Sequence, residues 1–203
     1  MANCCFAAFV IEGNKKEMDE LHSIMKSLKE MDEPRIKNGY GNTWLGCLLD
    51  AIGVDWSKVY CRGSYTDLKY NGKITFNVES DWEPCTEVFD VILKKFPSLS
   101  YYYAADIEGE GYETNDKEGK YFIDRVVIDG CFPDEDDYFI ESFKNIEEAM
   151  EYLNETYHTE LKEIADFDAL DEEWRNRDEE SYLNVYKYRI TECGRPTLAH
   201  LLQ

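Results

Sequence analysis

Residues 4–11, Cys-Cys-Phe-Ala-Ala-Phe-Val-Ile, are apolar at eight consecutive positions, and no other stretch constrains the fold as strongly. Alternate side chains of a strand point to opposite faces, so a run without polar alternation belongs to a central strand covered on both sides. Gly13 ends the run. Asn14, with Glu17 three residues on, makes a variant of the capping box that opens a helix. Met18, Leu21, Met25 and Leu28 then recur at i, i+3, i+7 and i+10, which predicts a helix over about 15–31 with one apolar stripe.

The stretch from Pro34 to Gly41 reads as a loop, and Thr43 to Ile52 as a short apolar helix ending at Gly53. A hairpin follows. Ile74, Phe76 and Val78 alternate with polar residues, Asn71-Gly72 predicts a two-residue type I′ turn, and the partner strand falls at about 62–70. Pro84 suits the first position of a second helix, in which Val88, Ile92 and Phe96 share a face and which stops at Pro97. Leu99, Tyr101, Tyr103, Ala105 and Ile107 alternate as a further strand, Gly109-Glu110-Gly111 turns the chain, and another strand is expected at 121–129 after a polar loop containing Asn115-Asp116. This order predicts an α+β fold with a ferredoxin-like antiparallel sheet and helices on one face.

Charge divides the chain. Of 203 residues, 43 are acidic and 22 basic, a net −21 that argues against a nucleic-acid backbone binder and against docking on anionic lipid. The window 134–180 holds 19 acidic and 4 basic residues, so −15 of the −21 lies there. Ile146, Ala149, Met150, Leu153 and Tyr157 keep a helical stripe within it, and a second helix is expected over about 160–177 through Leu161, Ile164, Phe167 and Trp174. A last strand, Tyr182 to Ile190, precedes the break at Gly194 and Pro196. The expected organisation is a sheet domain over 1–132 and an acidic helical C-terminal extension over 133–203 that ends in a further strand and packs onto the first as one globular unit.

No apolar stretch reaches membrane-spanning length, the start lacks a signal-peptide pattern, and seven cysteines show no zinc spacing. A cytoplasmic protein with reduced core thiols, without membrane, metal or cofactor, is the expectation.

With these elements placed, the chain resembles the YubB-type ferredoxin-like family of small proteins from bacteriophages, plasmids and other mobile elements. The opening Met-Ala-Asn-Cys-Cys-Phe-Ala-Ala-Phe-Val-Ile-Glu-Gly is similar to the family's opening, with Cys4 where an aromatic is usual. Thr75-Phe76-Asn77-Val78-Glu79-Ser80-Asp81-Trp82-Glu83-Pro84 resembles the strand running into Trp and Pro, with Cys85 in place of a second proline. Phe96-Pro97-Ser98-Leu99 and Gly109-Glu110-Gly111-Tyr112 look like its helix stop and glycine turn. The likeness covers about residues 2–130. It implies the fold and a mobile-element origin, and brings no catalytic residue with it.

Chemistry-bearing motifs are few. His22, His158 and His200 lie in separate segments, and no phosphate-binding glycine loop or nucleophile signature is present. Asp134-Glu135-Asp136-Asp137 invites calcium, but the EF-hand positions for Gly and Glu hold Phe139 and Asn145. Trp82, Tyr101 and Tyr103, with Tyr102, suggest an aromatic platform or pocket for a small ligand, the alternative reading, which leaves an enzyme open although the pattern leans against one. The leading expectation is a non-enzymatic acidic protein that contacts a basic host protein, with DNA mimicry as its sharper form, through Glu147, Glu148, Glu151, Glu155, Glu163, Asp171 and Glu172. Glu147, Glu151 and Glu155 stand at i, i+4 and i+8, where like charges repel by a few tenths of a kcal/mol per close pair, so the plainer reading is a solvated face.

Overall fold

The computed structural model describes residues 3–133 and 138–193. The candidate calcium run Asp134-Glu135-Asp136-Asp137, the break at Gly194 and Pro196, and His200 lie outside the described residues. The fold is mixed α+β, with mostly antiparallel sheets, and it divides into two compact units.

The first unit comprises the chain up to Lys117 and again from Ile190. Strand β1 (Cys4–Glu12) is central: it pairs antiparallel with β3 (Ile74–Asp81) on one side and β4 (Ser100–Ile107) on the other. Cys5, Ala7, Phe9 and Ile11 are buried among α1 (Lys15–Lys29), α2 (Leu45–Ala51) and α3 (Thr86–Lys95). The opposite face departs from the expected two-sided cover, for Phe6 is 55% exposed and Ala8 half-buried while Val10 is buried. Phe6 sits between Glu79 and Asp106 in the ladders, two carboxylates that keep this end of the face wet.

Helix α1 follows from its cap. Asn14 Oδ1 accepts the Glu17 N–H at 2.9 Å, and Met18, Leu21, Met25 and Leu28 are buried as their spacing predicts. The Glu17 carboxylate reaches across to Ser98, accepting its N–H at 3.0 Å and its hydroxyl at 2.7 Å, and so ties α1 to the start of β4. The hairpin joins β2 (Gly63–Tyr70) to β3 through a three-residue loop, since Tyr70 pairs with Ile74 and only Gly72 takes a positive φ, of 68°. A two-residue type I′ turn needs positive φ at both positions and is therefore not formed. Pro84 also stays outside its helix. Cys85 intervenes in the left-handed region at φ 54°, and α3 begins at Thr86. The helix ends at Lys95, just before Phe96-Pro97, because a proline disfavours helical geometry in the residue ahead of it.

Beyond β4 lie β5 (Gly111–Thr114) and, at the far edge, β9 (Arg189–Ile190), giving the order β2-β3-β1-β4-β5-β9. Asn115, expected in a polar loop, is a buried clamp. Its Oδ1 accepts the Tyr103 N–H at 2.8 Å, and its Nδ2 donates to the carbonyls of Tyr101 at 3.0 Å and Cys193 at 2.9 Å.

The second unit, Glu118–Arg189, has its own three-stranded sheet in the order β7 (Tyr138–Phe143), β6 (Val126–Cys131), β8 (Tyr182–Lys187). Helices α4 (Ile146–Tyr157) and α5 (Asp166–Arg177) share its core with Val126, Ile128 and Leu183. The strand expected at 121–129 thus forms at Val126–Cys131 and leads a second sheet, and the chain divides after Lys117 and Arg189 and not near residue 132. The acidic helices are consequently not a C-terminal extension: their unit is interposed between β5 and β9. The cause is hydrophobic, since Ala149, Leu153, Phe167, Leu170 and Trp174 find their partners on β6 and β8. Helix α5 starts at Asp166 and not at 160, because Asn154 holds Leu161 in the connection, accepting its N–H at 2.7 Å and donating to its carbonyl at 3.0 Å.

Candidate functional site

Asn145 caps α4, its Oδ1 accepting the Glu148 N–H at 2.8 Å. Glu148 is half-buried and turns back to the Lys144 backbone N–H at 3.3 Å, with the Lys144 ammonium 3.8 Å away. It is a capping residue. Glu147 stands beside it in the first turn, where the positive end of the helix dipole favours a carboxylate. Glu151 and Glu155 have no such support. They are exposed, take part in no ion pair among the described residues, and repel one another one turn apart. Glu155 also lies in the last turn, which carries no basic residue, against the negative end of the dipole. His158 closes α4 in the left-handed conformation at φ 56°.

The remaining acidic candidates separate into two kinds. Glu163 and Glu172 are exposed, one in the connection and the other on α5. Asp171 is built into the fold: its Oδ1 accepts the Leu183 N–H at 2.7 Å, and both oxygens lie about 3 Å from Arg175 Nε, at 3.0 and 2.9 Å. Burial pushes its pKa up, but the Arg175 and Leu183 hydrogen bonds outweigh this and hold the carboxyl below its ordinary value of 3.8. A lowered folded value stabilises the fold above the unfolded value, and that contribution is lost as pH falls through the folded one. Asp171→Ala is expected to cost about 1–2 kcal/mol at neutral pH, with the gap to wild type closing in acid. Urea unfolding of the two proteins across the acid range checks this; a gap independent of pH would contradict it.

The aromatic candidates are not brought together. Tyr101 and Tyr103 are 0% and 1% exposed, with ring centroids 6.0 and 5.5 Å from Phe9, so they form core and no platform. Their hydroxyls donate to Asp90 Oδ1 and Glu113 Oε1, each at 2.8 Å, and burial pushes both phenols far up, which keeps them neutral donors. Trp82 is 46% exposed at the opposite end of the sheet. Asp81 pairs with Cys4 while Tyr103 pairs with Phe9, five residues or about 17 Å along β1.

Strand β7 lies within the acidic window at positions for which no element was expected. Alternation was the available signal: Phe139, Glu141 and Phe143 face α4, while Tyr138, Ile140 and Ser142 face away. Tyr138 is 72% and Ile140 53% exposed. Among the described residues no group of histidine, cysteine and carboxylate side chains is placed to hold a metal ion, and no helix is long and apolar enough to cross a membrane. No family model matches the chain, and no curated protein and no solved structure matches it.

Proposed function

We propose that the chain is a non-enzymatic binding protein that recognises a basic partner protein through the exposed carboxylates of α4, and that its first sheet is a ferredoxin-like module of mobile-element origin. The order β2-β3-β1-β4 with intervening helices supports the fold reading, and the sequence resemblance supports the origin. The carrying observation for function is that Glu151 and Glu155 make no ion pair or side-chain hydrogen bond among the described residues and repel one another on their own helix. Carboxylates one turn apart recur about every 6 Å, about half as densely as the phosphates of one DNA strand. The ridge therefore suits cations on a basic protein, and DNA mimicry is its special case.

The test is retention of proteins from a bacterial lysate on the immobilised chain at about 50 and about 300 mM salt. Wild type is compared with a variant carrying Glu147→Gln, Glu151→Gln and Glu155→Gln. Basic proteins should be retained at low salt, with retention falling by about fivefold or more in the variant and at high salt. Retention indifferent to both, or none at all, refutes the reading. Displacement of labelled duplex DNA from the retained protein separates mimicry from other contacts.

A further inference from the structure

Of the four outer strands, β2, β9, β7 and β8, the first and third differ in how their open sides are protected. An open strand edge presents unpaired N–H and C=O groups, and folded proteins ordinarily blunt it with bulges, covering segments or charges. The outer edge of β2 is blunted: its ladder is broken between Thr66 and Lys69, Trp44 bridges to Ser64, and the Tyr65 N–H donates to the Thr43 carbonyl at 3.1 Å. Among the described residues strand β7 has neither a bulge nor a covering segment, and Glu141 is its one charge. Its register with β6 runs unbroken from Val126 opposite Phe143 to Cys131 opposite Tyr138, and its other side has no backbone partner among the described residues.

Charge defines what would fit there. On the α4 side of β7, Glu141 is exposed between Phe139 and Phe143. Tyr152 of α4 packs over that side, with ring centroids 5.3 Å from Phe143 and 6.4 Å from Phe139. Glu148 and Glu155 lie four residues before and three after Tyr152, so the three share one side of α4, the side whose Tyr152 packs on β7. Lys144 partly offsets Glu148, and among the described residues no ion pair offsets Glu155 or Glu141. The other face of β7 exposes Tyr138 and Ile140 beside Ser142.

We propose that β7 receives an extended segment of the partner as an added strand, with lysine or arginine side chains at alternate positions toward Glu141 and Glu155 and apolar side chains beside Tyr138 and Ile140. Main-chain hydrogen bonds supply the attachment in this mode, and the alternating side chains supply the selectivity. A second copy of the chain is the poorer occupant, because residues 118–189 carry 22 acidic and 8 basic residues, and β7-to-β7 pairing would oppose two units of net −14. The proposal rests on the basic-partner reading and adds where and in what form the partner docks.

The probes are a short alternating Lys-Val peptide of about eight residues, a block peptide of the same composition, and two N-methylated forms of the first, each blocking the N–H groups along one edge. Binding to the full chain is followed by fluorescence anisotropy, and protection of the 138–143 amides by hydrogen exchange. The alternating peptide should bind about tenfold more tightly than the block peptide, protect those amides, and lose about tenfold with one N-methylated form only. Joint Glu141→Lys and Glu155→Lys substitution should cost a similar factor. Equal binding of all four peptides without protection of β7 overturns strand addition and leaves the basic-partner reading standing. Failure of every peptide to bind overturns strand addition; the basic-partner reading then stands or falls on the lysate result. Concentration-dependent dimers of the chain alone, with the 138–143 amides protected, also overturn it, in favour of a second copy at that edge.

Discussion

Phe9→Ala is expected to destabilise the first unit by about 3–5 kcal/mol, the usual range for removing a fully buried aromatic. Phe9 is 1% exposed and meets Phe76, Phe89, Tyr101 and Tyr103 at centroid distances of 5.3, 4.3, 6.0 and 5.5 Å. Its removal leaves a cavity under the central strand, where backbone pairing on both sides limits collapse. Such a loss lowers the melting temperature by about 10 °C in a chain of this length without abolishing the fold. Thermal and urea unfolding measure it. A cost below about 1 kcal/mol would mean that the aromatic cluster repacks freely, contrary to a core of native density.

Trp174→Ala is expected to have a graver effect for the same lost burial. Trp174 is 1% exposed and meets Phe132, Tyr157 and Phe139 at 5.2, 5.6 and 6.5 Å. A loss of about 3–5 kcal/mol compares with a total of about 4–11 kcal/mol for a unit of this size. Hydrogen exchange should show the β6, β7 and α5 amides losing most of their protection while those of β1 and β4 stay slow. Uniform weakening of both units would show that they unfold as one.

What the sequence disclosed depended on whether one residue's neighbours could be known from its own segment. The α1 cap and stripe are local, and Asn14, Met18, Leu21, Met25 and Leu28 behave as their spacing requires. The Tyr101/Tyr103 alternation revealed a strand and the residues that share a face, but not which face the helices cover. That depends on β1, 94 residues earlier in the chain, where the register sets Phe9 opposite Tyr103. The strand at 126–131 was visible as apolar sequence, yet its sheet was decided by helices that follow it. Among the acidic candidates, Glu148 and Asp171 looked no different from Glu151 and Glu155. Only the backbone N–H groups of Lys144 and Leu183 distinguish a carboxylate that holds the fold from one that strains it.

The placement of the acidic unit between β5 and β9 has an entropic side. To the first sheet, 72 residues are a loop closed by a single ladder edge, where the Thr191 N–H meets the Thr114 carbonyl at 2.9 Å. As flexible chain, a loop that long would oppose closure by about 4 kcal/mol. Folded, it does not, because its own ends are already drawn together: Val126 pairs with Lys187, and the Tyr188 N–H donates to the Arg125 carbonyl at 2.9 Å. The folded insert thus shortens the effective loop that β9 closes. If it melts, β9 and the Asn115 clamp inherit the closure entropy, and the edge at Ile190–Cys193 is the first part of the larger sheet to be released.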